Sequence, residues 1–416
     1  MKTARNDNTL IRIINRNLVL NTIRKQGPLP RTDTARSTGL TPATVSSCCR
    51  DLMTENLIER VGLGDSRGGR RPLLLRLRSD HHYVLSVDIG VTDITAIATN
   101  LAGEIRARQS TPRGSASSHL SDSQSESRAT IEQAAQIALA LRAQLPVPHD
   151  IIGASVTVPG PVRQSDGVVL LSPNLPGWTL VPVRRLFEEA SGFSCLLEND
   201  ANAAAWAEKW LGVATKAHHV IFILVETGIG SGLVANGQIY RGQDGTSGEI
   251  GHITVDMEGP RCNCGNFGCL ETVASPARLA RLAAHEIRKG HPSSMVTMTN
   301  GDLDAIDTRI LLEAARGNDP LAVSLLQRSG RYIGIGAAAL INLFNPDLIV
   351  VGGSVIEQYP DILETIRVTA YARAFHAVAG QVRIIRSQLG SLAVPLGGAS
   401  LVLEQFFASP MQQRTG

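Results

Sequence analysis

The sequence lacks any run of about 18 or more consecutive apolar residues, the length that a membrane-spanning helix needs. Its first eight residues are polar, which argues against the apolar segment of a secretory signal peptide. Cysteine is also scarce, with six in 416 residues, too few for a disulfide scaffold. These absences predict a cytoplasmic protein with no membrane partner.

The composition indicates a globular chain with more than one domain. Hydrophobic residues make up 43% and charged residues 19%, a balance that can bury a core and excludes disorder over most of the length. A chain of 416 residues is too long for one ordinary core. Residues 1–80 hold 15 Lys and Arg against 7 Asp and Glu, so the net charge of +3 leaves −5 for residues 81–416. A basic head that meets a polyanion therefore precedes an acidic body with another task.

The basic head has a helix-turn-helix pattern. Apolar residues at helical spacing predict helices over residues 17–25 and 31–37, and a third helix that begins after a capping Thr41. Short strands at residues 57–61 and 73–77 flank a loop rich in Gly and Arg, which makes the winged variant of the motif.

The third helix and the wing contain the residues that we expect to bind double-stranded operator DNA. Small polar residues followed by an arginine can enter a major groove, while wing arginines suit a minor groove or the phosphate backbone. The predicted residues are Thr44, Ser46, Ser47 and Arg50 on the helix and Arg67, Arg70 and Arg71 on the wing. The alternative is a helical hairpin for protein contact, in which these arginines are merely solvated.

This head resembles the N-terminal domain of repressors in the ROK family (repressors, open reading frames, kinases), whose wing ends in a similar Gly-Arg-Arg-Pro element. Two positions depart from that pattern. Pro30 stands where a Ser or Thr cap is usual, and Thr34 stands where an apolar residue is usual.

The acidic body begins with a buried strand that ends at Asp88 and continues into Gly90, Val91 and Thr92. An acidic strand end followed by Gly and Thr is typical of the first phosphate loop of an actin-like ATPase or sugar kinase. Residues 108–128 are rich in Ser, Gln, Gly and Pro, which predicts a flexible surface insertion.

A second strand end carries Asn199 and Asp200, immediately before an alanine-rich helix. Ligands commonly bind at the carboxyl ends of strands in α/β proteins. Asp200 can accept a hydrogen bond from a sugar hydroxyl and, in an enzyme, can take its proton for attack on a phosphoryl group. The alternative is an aspartate that only caps the helix.

A metal site is predicted where three cysteines are clustered. His252, Cys262, Cys264 and Cys269 supply one imidazole and three thiolates, which suit a closed, tetrahedral, structural Zn²⁺ site. Four protein ligands leave no open position, which disfavours a catalytic zinc. The alternative is a reduced cysteine cluster without metal.

The resemblance to the ROK family extends over almost the whole chain. The stretch from Val225 through the Gly-Glu-x-Gly-His element at 248–252 and the Cys-x-Cys-x4-Cys loop is close to the family signature. The resemblance implies an α/β chain with a winged helix-turn-helix domain at residues 1–80 and an actin-like, two-lobed sugar-binding domain at residues 81–416, assembled as a homodimer or homotetramer. It also implies that sugar hydroxyls are bound by Asn199, Asp200, Glu249, His252 and Glu271, so that His252 serves the sugar and the zinc.

Two departures from the kinase pattern favour a regulator over an enzyme. ROK kinases typically carry Gly at the positions of Val91 and Glu226, and a carboxylate at Glu226 would repel nucleotide phosphates. The sequence therefore predicts a transcriptional regulator of the xylose, N-acetylglucosamine and glucose repressor branch, controlled by a sugar or sugar phosphate that closes the lobes. Repression is favoured over activation. The alternatives are an ATP-dependent sugar kinase with Asp200 as base, and a zinc-stabilised protein-interaction module.

Overall fold

The structure is a computed structural model that describes residues 2–65, 71–114 and 123–408, with side chains described for residues 9–65, 71–114 and 125–408. In the described part of the head, helices surround a small sheet with strand order β1-β3-β2. Its elements are α1 (Lys2–Gln26), β1 (Leu29–Pro30), α2 (Arg31–Thr38), α3 (Pro42–Thr54), β2 (Ile58–Leu63) and β3 (Leu73–Leu77).

Local sequence explains the helix-turn-helix. Helix α2 ends at Gly39, whose φ of 70° is in the left-handed region that glycine tolerates. Thr41 caps α3, since its Oγ1 accepts a hydrogen bond from the Thr44 backbone N–H at 3.2 Å. Thr34 is buried, and its hydroxyl donates to the Pro30 carbonyl at 3.0 Å, so the polar side chain at this usually apolar position is satisfied.

The prediction for the first helix was wrong in its start. Helix α1 begins at Lys2, whereas the apolar spacing predicted a start near residue 17. Residues 2–9 are mostly polar and carry little hydrophobic periodicity, whereas Leu10, Ile11, Ile13 and Ile14 continue the apolar pattern and should have extended the predicted helix towards the N-terminus.

The first lobe of the body is a five-stranded sheet with strand order β11-β7-β4-β5-β6. Strands β4, β5 and β6 are antiparallel neighbours, while β7 and β11 continue the sheet in parallel. Its elements are β4 (His82–Ile89), β5 (Asp93–Asn100), β6 (Ile105–Pro112), α4 (Ser123–Ala143), β7 (Asp150–Val158), β8 (Val162–Arg163), β9 (Val168–Leu171), β10 (Thr179–Val181), α5 (Val183–Ser191), β11 (Cys195–Asn199) and α6 (Asp200–Trp210). Strands β8, β9 and β10 form a separate antiparallel sheet.

The second lobe repeats this topology with strand order β14-β13-β12-β15-β16. Strands β12, β13 and β14 are antiparallel neighbours, and β15 and β16 continue in parallel. Its elements are β12 (Val220–Val225), β13 (Ile229–Ala235), β14 (Gln238–Ile239), α7 (Leu270–Ala274), α8 (Pro276–Arg288), α9 (Met295–Met298), α10 (Thr308–Arg316), α11 (Pro320–Phe344), β15 (Leu348–Gly352), α12 (Ser354–Gln358), α13 (Ile362–Arg373), α14 (His376–Ala379), β16 (Arg383–Arg386) and α15 (Ala393–Phe407). Short 3-10 turns lie at Ile250–His252, Leu303–Ala305 and Gly390–Leu392.

Two lobes with the same strand order confirm the predicted α/β class and its actin-like architecture. Helices α6 and α15 pack against each other between the lobes. Their close approach depends on small residues, because a Cβ built on Gly397 would lie 1.8 Å from the carbonyl oxygen of Ala203. Both helices begin at the cleft that separates the lobes.

The predicted insertion at residues 108–128 was wrong at both ends. Strand β6 continues to Pro112, and helix α4 begins at Ser123. Residues 115–122, in the middle of that expectation, lie outside the described residues. Helix α4 buries Ile131, Ala135 and Leu141 against the first sheet, and this tertiary packing accounts for a helix whose first turns are polar.

The head packs on the body through α1 and the end of α15. The side-chain amides of Asn17 and Asn21 donate to the carbonyl oxygens of Ala408 and Phe407, at 3.0 and 2.8 Å. The Arg24 guanidinium lies over the Phe407 ring, 4.5 Å from its centroid. Across the described residues, no helix is both long enough and apolar enough to cross a membrane.

Candidate functional site

A cavity of about 560 Å³ lies between the two lobes, where β4, β11 and β12 end. All the residues that the family resemblance assigned to the sugar contribute to its lining: Asn199, Asp200, Glu249, His252 and Glu271. The location follows from topology, since the carboxyl ends of these strands face the same cleft. Its volume is in the range of small-molecule sites.

The junction of β11 and α6 holds Asn199 and Asp200 rigidly. Asn199 caps α6, because its Oδ1 accepts a hydrogen bond from the Asn202 backbone N–H at 3.0 Å. The Asn199 amide also donates to Asp200 Oδ1 at 3.0 Å, and the Ala201 backbone N–H donates to the same oxygen at 2.7 Å. Within the described part of the chain, Asp200 Oδ2 accepts no hydrogen bond, so one carboxylate oxygen is left for a ligand.

A buried ion pair behind this junction was not foreseen from the sequence. Glu198 is 3% exposed and accepts hydrogen bonds from Arg241 at 2.7 and 2.9 Å. Its other oxygen accepts from the Asn199 backbone N–H at 3.1 Å and the Asn202 amide at 3.3 Å. A buried carboxylate with several partners fixes its surroundings, so Glu198 positions Asn199 at the cavity.

The cavity is strongly acidic. The carboxylates that line it are Asp88, Asp93, Asp200, Glu226, Glu249 and Glu271, and the described basic groups are Arg108 and His252. Burial raises the pKa of Asp88 to about 7, although a hydrogen bond from Thr157 Oγ1 at 2.9 Å opposes this shift. Burial, followed by the neighbouring charge of Asp88, raises the pKa of Asp200 well above its usual range.

Glu271 and Asn174 lie on the side of the cavity formed by the second lobe and the loop after β9. Glu271 Oε2 accepts hydrogen bonds from the Ile229 backbone N–H at 3.2 Å and the Asn174 amide at 3.4 Å. A Cβ on Gly228 would lie 2.3 Å from the same oxygen, so glycine is required for this approach. Asn174 also lines the cavity.

His252 lies between the cavity and the cysteine cluster. Its Nδ1 is 3.6 Å from Cys262 Sγ, while its Nε2 lies 3.9 Å from Glu249 Oε2. The imidazole therefore presents one nitrogen to each side. This arrangement allows a metal on Nδ1 to fix the nitrogen that faces the cavity.

The cysteine cluster has the geometry of a metal site. Nδ1 or Nε2 of His252 and the sulfurs of Cys262, Cys264 and Cys269 all lie within 4.8 Å of one another. Cys264 and Cys269 are 3.8 Å apart at their sulfurs. Ligands about 2.0–2.3 Å from one tetrahedral zinc are roughly 3.3–3.8 Å apart, so these residues fit such an ion. The cluster could hold a metal.

The expected nucleotide side of the cleft is occupied by a carboxylate. Glu226 accepts hydrogen bonds from the Ser354 backbone N–H at 2.6 Å and from Ser354 Oγ at 2.5 Å. These donors stand at the start of α12, just after the Gly352-Gly353 turn. Val91 lines the same cavity from the first lobe. The donors that a phosphate would need on this turn are therefore already used.

The predicted DNA-binding residues of α3 lie outside its buried face. Ser47 and Arg50 are exposed, while Thr44 and Ser46 are half-buried. Thr44 Oγ1 also contacts Thr41 Oγ1 at 2.9 Å, which ties this hydroxyl to the helix cap. On the wing, Arg71 is exposed, and the predicted Arg67 and Arg70 lie outside the described residues.

Comparisons with known proteins show which sequences and structures this chain resembles. A family model described as the ROK family matches residues 84–405. The xylose repressor of Bacillus spizizenii (strain ATCC 23059 / NRRL B-14472 / W23) is 33% identical over 401 residues, covering 96% of this chain and 97% of that protein. The DNA-binding transcriptional dual regulator NagC of Escherichia coli (strain K12) is 30% identical over 382 residues, covering 91% and 90%. The crystal structure of a ROK family transcriptional regulator, a homolog of the E. coli MLC protein, aligns with a TM-score of 0.78 at 29% identity, covering 97% of this chain and 98% of that chain.

Proposed function

The chain belongs to the ROK family, and we propose from this premise that it is a sugar-responsive repressor that binds DNA through residues 1–80 and sugar through residues 81–416. The observation that carries the proposal is that one chain joins a capped helix with exposed polar and basic residues to a cavity lined by carboxylates. Relatives named for xylose and for N-acetylglucosamine are 33% and 30% identical, which supports a sugar as effector without selecting one.

The charges of the cavity favour a neutral sugar over a sugar phosphate. Six carboxylates belong to its described lining. Arg108 is the one arginine in that described lining, and it is exposed at the rim. A phosphate group would meet repulsion in a partly desolvated cleft, whereas hydroxyl groups can donate to these carboxylates. Asn199, Asp200 and Glu249 are the side chains that we assign to those hydroxyls.

We assign Zn²⁺ to His252, Cys262, Cys264 and Cys269 as a structural ion. When bound, the ion would supply rigidity to the loop that carries His252 and Glu271, without an open position for catalysis. His252 would then donate or accept one hydrogen bond at the sugar through Nε2, with its ring fixed from the other side.

A sugar kinase remains the second candidate because Asp200 stands where a base for the sugar hydroxyl is required. Glu226 argues against it, since its carboxylate holds the Ser354 donors and would repel a polyphosphate. Release of ADP upon incubation with ATP and a panel of neutral sugars would establish the kinase. We expect none above the rate without sugar.

The regulator is tested by DNA binding in the presence of sugars. A duplex selected from a random pool by the full chain would be labelled, and its affinity measured by fluorescence anisotropy with neutral pentoses, hexoses, N-acetylhexosamines and their phosphates. We expect one neutral sugar to weaken DNA binding by at least about tenfold, within the usual range of coupling free energies. Absence of sequence-selective DNA binding would overturn the proposal.

The variant Asp200→Asn separates the two sites. It should bind the same duplex as the wild type but lose sugar affinity, because the amide has one acceptor oxygen where the carboxyl group has two, and a typical hydrogen bond contributes roughly 0.5–1.5 kcal/mol. The exposed Asp304→Asn, on the far lobe, is a matched control that should keep both affinities. Calorimetry with the sugar identified in the anisotropy experiment gives the comparison.

A further inference from the structure

A second group of metal-binding side chains lies at the joint between the head and the body. His82 begins β4, His81 directly precedes it, and Asp150 begins the neighbouring strand β7. One ligand atom from each of these residues lies within 4.8 Å of the others. The group is separate from the sugar cavity and from the cysteine cluster, because none of its members lines that cavity.

The distances in this group are those of shared ligands rather than of hydrogen bonds. His81 Nε2 and His82 Nδ1 lie 3.6 and 3.7 Å from the same oxygen, Asp150 Oδ2. Hydrogen bonds between nitrogen and oxygen are normally about 2.7–3.2 Å long. Two nitrogen or oxygen ligands that share one zinc at about 2.0–2.2 Å are instead roughly 3.3–3.6 Å apart. The observed separations match the second case more closely.

The backbone holds the three residues in place without an ion. The Asp150 backbone N–H donates to the His81 carbonyl oxygen at 3.0 Å, and His82 pairs with Asp150 in the parallel register of β4 and β7. The rings of His81 and His82 are perpendicular, with centroids 4.9 Å apart. A site that is assembled in advance loses little conformational entropy when it binds an ion.

His82 has the outer hydrogen bond that is typical of a metal-binding histidine. Its Nε2 lies 2.8 Å from the Glu55 carbonyl oxygen, an arrangement that puts the ring proton on Nε2 and leaves the Nδ1 lone pair free. His82 is 9% exposed, and its Nδ1 is buried with no hydrogen-bond partner. A buried nitrogen of this kind is costly unless a ligand satisfies it.

We propose that His81, His82 and Asp150 form a second metal site, which binds one Zn²⁺ through two imidazoles and one carboxylate with water completing the shell. Two nitrogens and one oxygen suit zinc, and a three-residue set differs from the closed cluster of thiolates in leaving a position for water. Glu55, whose carbonyl anchors His82, follows directly after the recognition helix α3. Zinc in this site therefore stabilises the contact between the head and the body.

A hydrogen-bonded ion pair with a protonated histidine is the competing interpretation. It requires a charged imidazole in hydrogen-bond contact with the carboxylate. Both nitrogens, however, lie beyond hydrogen-bond range of Asp150. Asp150 itself is exposed on 66% of its side chain, so an ion can reach the site from solvent.

The test counts zinc on the full chain in two steps. Zinc-loaded protein is passed through a desalting column, and a chelating indicator is added first, because it can take the ion from a site that is open to solvent. A mercurial reagent then displaces the ion that thiolates hold. We expect two zinc ions per chain for the wild type, one taken up by the indicator alone and one released only after the mercurial.

Asp150→Asn removes the carboxylate and keeps the size of an exposed side chain. We expect the zinc that the indicator takes up directly to be lost at zinc concentrations that fill the site in the wild type, with affinity reduced by at least about tenfold. Asp304→Asn should retain two ions, and His81→Asn should behave like Asp150→Asn. A wild type that holds one zinc, or an Asp150→Asn variant with unchanged zinc affinity, would overturn the proposal.

Discussion

Glu226 and Ser354, which are 128 positions apart in the chain, join the two ends of the expected nucleotide site. The Glu226 carboxylate accepts from both the backbone N–H and the hydroxyl of Ser354, at 2.6 and 2.5 Å. Burial raises the pKa of Glu226, although these hydrogen bonds lower it. The Glu226 carboxylate therefore takes both Ser354 donors, on the side of the cleft where the family resemblance predicts the nucleotide.

Replacing Glu226 tests this relationship through stability. Glu226→Ala leaves the half-buried donors of Ser354 without their carboxylate acceptors and should lower the free energy of unfolding by about 1–3 kcal/mol. Glu226→Gln keeps one acceptor and should cost less. Urea unfolding followed by circular dichroism measures both variants. Equal stability of the wild type and Glu226→Ala would show that the contact is not formed in solution.

Asp88 predicts a pH dependence of stability. Its pKa is raised from 3.8 to about 7 by burial, so between these pH values the folded state keeps a proton that the unfolded state has lost. The contribution of Asp88 to stability therefore falls as the pH rises from about 4 to 7. Above the pKa of Asp88 in the folded state, this contribution is lost completely. The loss is then at most about 4 kcal/mol, because a shift of one pKa unit corresponds to 1.36 kcal/mol.

The variant Asp88→Asn should reveal this effect, because asparagine cannot ionise and still accepts from Thr157 through its amide oxygen. We expect the variant to be more stable than the wild type at pH 8, and the difference to shrink at pH 5. Asp93→Asn, on the exposed turn that follows, is the control. Chemical unfolding at three pH values measures the difference in stability between the variant and the wild type. A difference that does not change with pH would contradict the predicted role of Asp88.

Short-range patterns in the sequence were sufficient to predict several parts of the site. The junction at Asn199 and the loop of Cys262, Cys264 and Cys269 are each formed by neighbours in the chain, so spacing and residue type reveal them. The wing strands and the capped recognition helix are also formed by residues that are close together in the sequence. Topology then brings the strand ends together at the cleft.

Contacts between distant segments could not be predicted in the same way. Asn174 and Glu271 are 97 positions apart, and Glu198 and Arg241 are 43 apart, so no periodicity links them. The helix that begins at Ser123 was missed because its first turns are polar and owe their order to packing against the sheet. Such features depend on tertiary structure rather than on intrinsic propensity.

Arg50 is the described residue of α3 on which DNA binding should depend most. It is exposed, basic and one turn beyond the small polar residues Ser46 and Ser47. Arg50→Ala should weaken operator binding by about 1–3 kcal/mol if it contacts a base, or lower the salt slope by about one if it contacts a phosphate. Arg309→Ala, an exposed arginine of the body, should leave the affinity unchanged. Anisotropy titrations at several salt concentrations distinguish the outcomes.

Helix α15 offers a direct route from the sugar cavity to the head. Val394 lines the cavity near its start, and the Phe407 carbonyl at its end accepts from Asn21. Fifteen helical residues extend about 22 Å, at roughly 1.5 Å per residue. A shift of α15 upon lobe closure would therefore reach α1 and, through it, the recognition helix.

The double variant Asn17→Ala and Asn21→Ala should uncouple the two sites. Both amides donate to the end of α15, and their loss leaves the sugar cavity intact. We expect an unchanged sugar affinity by calorimetry but a smaller effect of sugar on DNA affinity, since the coupling free energy passes through this contact. Gln381→Ala, which removes a surface amide that donates to Ala377, is the control. If sugar changes the DNA affinity of the double variant as much as that of the wild type, the coupling does not depend on the contact between α1 and α15.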